Sequence, residues 1–100
     1  MRLVYHPRAD EELLDVTRHY SRVGPTQAVR FLNAYEEAVG EILEAPDRWM
    51  LVEQDVRCHA LSRFPYSIYY QVDNDVVRIL AVPHHSRKPG YWKRRLNDPG

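Results

Sequence analysis

Apolar positions in this chain repeat with two periods, and the change of period divides it into a helical first half and a strand-rich second half. "RLVY" (2–5) reads as a short strand, closed by Pro7, a residue suited to the first turn of a helix. Ala9, Leu13, Val16 and Tyr20 then recur at helical spacing. Asp10, Glu11, Glu12 and Asp15 crowd the start of that helix and Arg18, His19 and Arg22 its end, the charge order that complements the helix dipole. Gly24-Pro25 stops it and turns the chain.

A second helix is expected from about Thr26 to Glu44, before Pro46. Its stripe is Ala28, Phe31, Tyr35, Ala38 and Ile42, widened by Leu32, Val39 and Leu43. So short a connection predicts an antiparallel helical hairpin whose stripes face the core. Beyond it the pattern is that of strands: "VRCHAL" (56–61), "YSIYYQV" (66–72) and "VVRILAV" (76–82), the last apolar enough for a central strand. Asp73-Asn74-Asp75 has the composition of a hairpin turn. The order β-α-α-β-β-β predicts an α+β domain, with the helical hairpin packed on one face of a mostly antiparallel sheet and a short C-terminal helix.

Length adds that residues 1–100 form a single domain with a core too small for a deep enclosed cavity, so a shallow surface site is expected. The N-terminal residues do not read as a signal peptide, and no apolar run reaches the length of a membrane span, so a cytoplasmic protein without membrane contact is expected. The formal net charge of zero hides a division. Residues 1–55 carry six arginines against eleven carboxylates, net −5, whereas residues 56–100 carry eight Lys and Arg against three Asp, net +5. The basic half suits an acidic partner, nucleic acid or an acidic protein segment.

The candidate chemistry is narrow. Cys58 is the lone cysteine, so no internal disulfide or cysteine-based zinc site is available. His84 and His85 are adjacent, which in an extended segment points them to opposite sides, and neither has a ligand-like spacing to His6, His19 or His59. No metal and no cofactor is expected. Nucleophile-elbow and phosphate-loop motifs are missing. What remains is a basic and aromatic set: Arg57, Arg63, Arg78, His84, His85, Arg87, Lys88, Tyr91, Lys93, Arg94 and Arg95. Such groups suffice for metal-free RNA cleavage, which needs a base, cations on the phosphate and an acid. They equally describe a solvated basic edge with Tyr91 and Trp92 anchoring the terminus.

Two stretches, "RFPYSIYYQV" (63–72) and "ILAVPHHSRKPGYWKRR" (79–95), resemble the paired signatures of the RelE/ParE superfamily, toxins of bacterial type II toxin–antitoxin modules often labelled plasmid-stabilisation proteins. "YHPRADEELLDVTRHY" (5–20) and "AVRFLNAYEEAVGEILEAPDRW" (28–49) resemble the same family's helical hairpin. The most specific fragment is His84, Arg87, Pro89, Tyr91 and Trp92.

The resemblance implies a growth-inhibiting toxin bound by a cognate antitoxin from an adjacent gene. It also implies one of two targets, the ribosome with its mRNA or DNA gyrase. Members that cleave mRNA place two lysines on the strand before the FPY-like turn and an arginine just after its tyrosine. Aligned on Tyr66, this chain has Cys58, Ala60 and Ser67 at those positions. Their neutrality implies the ParE-like reading, inhibition through a protein target such as gyrase. The alternatives are a ribosome-dependent mRNA endonuclease, with Arg87 and Tyr91 as catalytic groups, or a non-toxic antitoxin-binding module. Arg57, Arg63, His84, Arg87, Lys93, Arg94 and Arg95 are the partner-binding candidates.

Overall fold

The computed structural model describes residues 1–98 and has the element order β1 (Arg2–Tyr5), α1 (Pro7–Val23), α2 (Pro25–Glu44), β2 (Met50–Glu53), β3 (Val56–Ala60), β4 (Ser67–Asp73) and β5 (Val76–Ala81), followed by a 3-10 turn at Lys93–Asn97. The α1 cap is a histidine: His6 Nδ1 accepts the Arg8 N–H at 3.0 Å, and Pro7 fills the first helical position. At the other end the Gly24 N–H donates to the Tyr20 carbonyl. Pro25 opens α2 at once, which forces the hairpin. α2 buries Ala28, Phe31, Tyr35, Ala38 and Ile42, the stripe read from its periodicity. Among the described residues no helix is long and apolar enough to cross a membrane.

The sheet runs β1-β5-β4-β3-β2, with β1 parallel to β5 and the other neighbours antiparallel. The apolar β5 therefore lies inside the sheet, between β1 and β4. Asn74 adopts φ 54° in the β4–β5 turn, a conformation asparagine tolerates. β2 adds a strand to the expected order. It pairs with β3 at the open edge, and Met50, Leu51 and Val52 are all exposed, so no alternation of burial marked it in the sequence. A register shift between Leu51 and Glu53 kinks this edge strand, which blunts pairing with other chains.

Each sheet face has its own core. On one, Phe31, Tyr35 and Ile42 of α2 meet Ile68, Tyr70, Val77 and Ile79. On the other, Val56, Leu80 and Ala81 are covered by Trp92, with Tyr69, Tyr91 and Leu96 around them. The C-terminal segment thus closes the face the helices leave open.

A candidate functional site on the far face of the sheet

The far face is built from alternate residues of β3 and β4. Cys58 lies opposite Tyr69 and Ala60 opposite Ser67, so the three neutral residues singled out in the sequence share one side of the sheet. Arg57, one residue out of phase, is turned to the helix side, where Nη1 donates to the Trp49 carbonyl at 2.8 Å. Its neighbour in phase, His59, also faces the helices, stacking on Trp49 and placing Nε2 2.8 Å from Glu41 Oε1. Arg57 is therefore not part of the far-face cluster.

After β5 the chain folds back along the start of β4. Ser67 N–H donates to the Pro83 carbonyl, His85 N–H donates to the Pro65 carbonyl, and Tyr66 bridges His84. His84 and His85 enter a turn closed by the Arg87 N–H, which donates to the His84 carbonyl, so both histidines border the same groove rather than opposite sides of an extended segment, though with different partners. His85 Nε2 lies 3.0 Å from Ser67 Oγ, whose residue is 6% exposed. His84 packs edge-on against Tyr66, and its Nδ1 accepts the Ser86 N–H. Among the described residues no three His, Cys, Asp or Glu side chains converge as metal ligands.

Arg87, Lys88 and Pro89 then wall a groove of about 290 Å³ whose other sides are Ser67, Tyr69 and Trp92. Gly90 sits at φ 77°, a left-handed conformation that favours glycine; a Cβ there would meet only the flexible end of the Lys93 side chain, at 2.9 Å. Tyr91 is held between two guanidiniums, Arg87 at 4.2 Å and Arg95 at 5.0 Å from the ring centre. Its hydroxyl is sealed from solvent; burial, then the nearby Glu12 carboxylate, raises its pKa well above the ordinary tyrosine value.

A clasp outside this groove fixes the terminus. Arg95 grips Glu12 of α1 with both ends of its guanidinium, Nη1 to Oε1 at 3.1 Å and Nη2 to Oε2 at 2.8 Å, and also donates to the Leu80 carbonyl. Glu12 Oε1 further accepts the Val82 N–H. Burial pushes the Glu12 pKa up, but the Arg95 and Val82 hydrogen bonds outweigh it, so the carboxyl stays below its ordinary range. Arg78 reinforces the clasp by donating to the Arg95 and Asp98 carbonyls.

The structure thus gathers His84, Arg87 and Tyr91 around one groove and disperses the remaining candidates. Arg95 is committed to the internal clasp, Lys93 pairs with Glu53 at 3.3 Å, Arg94 is exposed, and Arg63 lies on the β3–β4 turn, where it lines a different groove. Two participants had escaped sequence reasoning. Ser67 entered it only as a missing arginine, and Glu12 only as a helix-start charge, since its partner lies 83 residues away.

Comparison with known proteins gives this arrangement a context. The family profile described as the ParE toxin of the parDE type II toxin–antitoxin system matches residues 3–89. The toxin ParE2 of Mycobacterium tuberculosis is 28% identical over 89 residues, covering 88% of this chain and 85% of that one. Among solved structures, the chromosomal ParDE system of P. aeruginosa superposes with a TM-score of 0.72 at 23% identity, over 84% of this chain and 95% of the other. The isolated RelE toxin of E. coli superposes with a TM-score of 0.55 at 20% identity, over 96% of each chain. These two structural likenesses concern the fold.

Proposed function

This chain belongs to the ParE toxin family of type II toxin–antitoxin systems, and on that premise we propose that it arrests growth through a protein target such as DNA gyrase. Membership implies a cognate antitoxin as partner. The observation that carries the choice of target is the far face itself. Metal-free cleavage of RNA needs cations on the scissile phosphate and groups able to take and return protons. The face offers Cys58, Ala60 and Ser67 where the RNA-cleaving relatives resembled by this sequence place cations, and none of the three carries a positive charge. Burial raises the Cys58 thiol pKa, so it remains a neutral group at physiological pH.

The placement of the proton-transfer candidate also supports this reading. Tyr91 has its hydroxyl buried beside Glu12 and its pKa raised, which disfavours it as a base near neutral pH and keeps it from direct contact with a substrate. The exposed groups that remain, Arg87 and Lys88 beside Pro89, form a cationic rim suited to docking on a protein surface.

The RNA-cleaving alternative draws on one observation, the His85–Ser67 contact next to Arg87, which sets an imidazole beside a basic groove. The test is toxin expression followed by mapping of mRNA ends, with wild type, Arg87→Ala and Tyr91→Phe compared. The protein-target reading predicts no new in-frame cleavage ends for the wild type. It further predicts full toxicity for Tyr91→Phe and weakened toxicity for Arg87→Ala. New cleavage ends that vanish in Arg87→Ala or Tyr91→Phe would establish the nuclease instead.

A further inference from the structure

The stacked pair Arg87 and Tyr91 forms a ridge between two grooves of opposite charge. Pro83, His84, Arg87 and Tyr91 border both grooves, which therefore adjoin along that line. The groove of about 290 Å³ on the sheet side adds His85 and Lys88, and no aspartate or glutamate lines it. The other, of about 200 Å³, opens toward α1 and is lined by Glu12 and Asp15. These two carboxylates are not equivalent. Glu12 is committed to the clasp, with both oxygens on Arg95 and one also on the Val82 N–H. The Asp15 side chain is 75% exposed, and its ion pair with Arg18, at 4.0 Å, is a long one. Asp15 is the carboxylate this groove presents.

The cations across the ridge are equally available. Among the described residues neither Arg87 nor Lys88 is paired with a carboxylate. That separates them from Lys93, which reaches Glu53, and from Arg57, Arg78 and Arg95, which hold backbone carbonyls. A surface that sets free cations beside a free carboxylate selects a ligand carrying both signs and repels one carrying a single sign. A nucleic-acid strand carries only negative charge, so phosphates that followed the ridge would meet Asp15 as repulsion. The ridge is also a poor stacking platform, because Tyr91 lies between two guanidiniums and Trp92 is buried. A protein segment with a carboxylate and a cation close together satisfies both grooves at once.

We propose that the two grooves form one docking surface for a mixed-charge segment of the protein target, with its carboxylate against Arg87 and Lys88 and its cation against Asp15. The inference rests on the reading of this chain as a toxin acting on a protein, and it adds the chemistry by which that protein is recognised. The experiment induces wild type, Lys88→Glu, Asp15→Asn, Asp15→Lys and, as control, Arg30→Glu on the exposed side of α2. The readout is the toxin level, followed by immunoblot, that halves the growth rate. Melting temperatures of the purified variants and the mRNA ends produced by the wild type are measured alongside.

The level required is expected to rise about tenfold for Lys88→Glu and for Asp15→Lys, less for Asp15→Asn, and not at all for the control, at unchanged melting temperature. The two larger effects come from charge changes of opposite sign, which net charge alone does not produce. Asp15→Lys is the deciding arm, because a purely negative ligand binds more tightly once that carboxylate becomes a cation. Unchanged toxicity in Asp15→Lys overturns the proposal, and increased toxicity overturns it in favour of a nucleic acid or a wholly acidic segment. If Asp15→Lys melts early, Asp15→Asn decides in its place, and unchanged toxicity there is equally fatal. An equal loss in Arg30→Glu overturns the proposal as well, since the effect is then not local. All these outcomes leave the protein-target reading in place, whereas mRNA cleavage by the wild type removes that reading and this inference with it.

Discussion

The two faces of the sheet are closed by different physics. On the helix side, Phe31, Tyr35 and Ile42 meet Ile68, Tyr70 and Ile79 in a continuous apolar layer. On the far side the cover is a short terminal segment whose apolar contribution centres on Trp92, 4% exposed, and whose position is fixed by charged hydrogen bonds from Arg95 and Arg78. Burial without direction closes the first face; directional bonds to Glu12 and to backbone carbonyls close the second. A face closed by few, specific contacts keeps a groove and exposed cations directly beside the sheet. On the other side the continuous layer fills the space against the sheet, and the groove there lies outside it, between α2 and the β3–β4 turn. The candidate site accordingly lies on the far side.

The comparison can be broken by truncating each side in turn. Phe31→Ala should cost about 3–5 kcal/mol, a large part of the stability of a domain of this size, as urea titration followed by circular dichroism would show. Arg95→Ala should cost less, about 3 kcal/mol, because it strands a half-buried Glu12 carboxylate. The double variant Glu12→Gln with Arg95→Met should lose less than Arg95→Ala alone, since the glutamine amide oxygen can still accept the Val82 N–H while no charge is left unpaired. Equal losses for the double variant and Arg95→Ala would mean that the segment is held by packing rather than by the clasp.

Acid should weaken the His6 cap of α1 and the Glu12–Arg95 clasp in a defined order. Burial lowers the His6 pKa from its ordinary 6.5, so the unfolded chain binds the proton more tightly. Stability is full above pH 6.5 and falls as pH drops from there toward the lowered folded-state value. Glu12 is depressed below 4.5, so its contribution is present above that value and is lost as pH falls further, through its folded-state pKa. His6→Asn retains a side-chain cap for α1 and removes the titration, so it should flatten the stability slope just below pH 6.5 and leave the more acidic loss in place. The smallest effect belongs to Arg94→Ala, an exposed change expected to alter stability by less than about 0.5 kcal/mol.

Legibility in the sequence followed the same division. The helix side announced itself, because burying one stripe of a helix imposes a period that Ala28, Phe31, Tyr35, Ala38 and Ile42 display. β2 did not, since an exposed edge strand has no buried face to write into its pattern. The register argument that separated Arg57 from Cys58 and Ala60 needed only the two-residue period of a strand, and the structure places them on opposite faces. The Glu12–Arg95 clasp and the Ser67–His85 contact were invisible, because neither local propensity nor spacing encodes pairs 83 and 18 residues apart. That is also why Arg95 read as a surface cation.

The central claim is that this toxin stops growth through a protein target and does not cut RNA. Pulse-labelling of new DNA and new protein in the first minutes after induction tests it most directly, with antitoxin co-expression as the control. The account predicts that DNA synthesis falls first while protein synthesis continues, and that the antitoxin restores both. Immediate arrest of translation with DNA synthesis still running would contradict it.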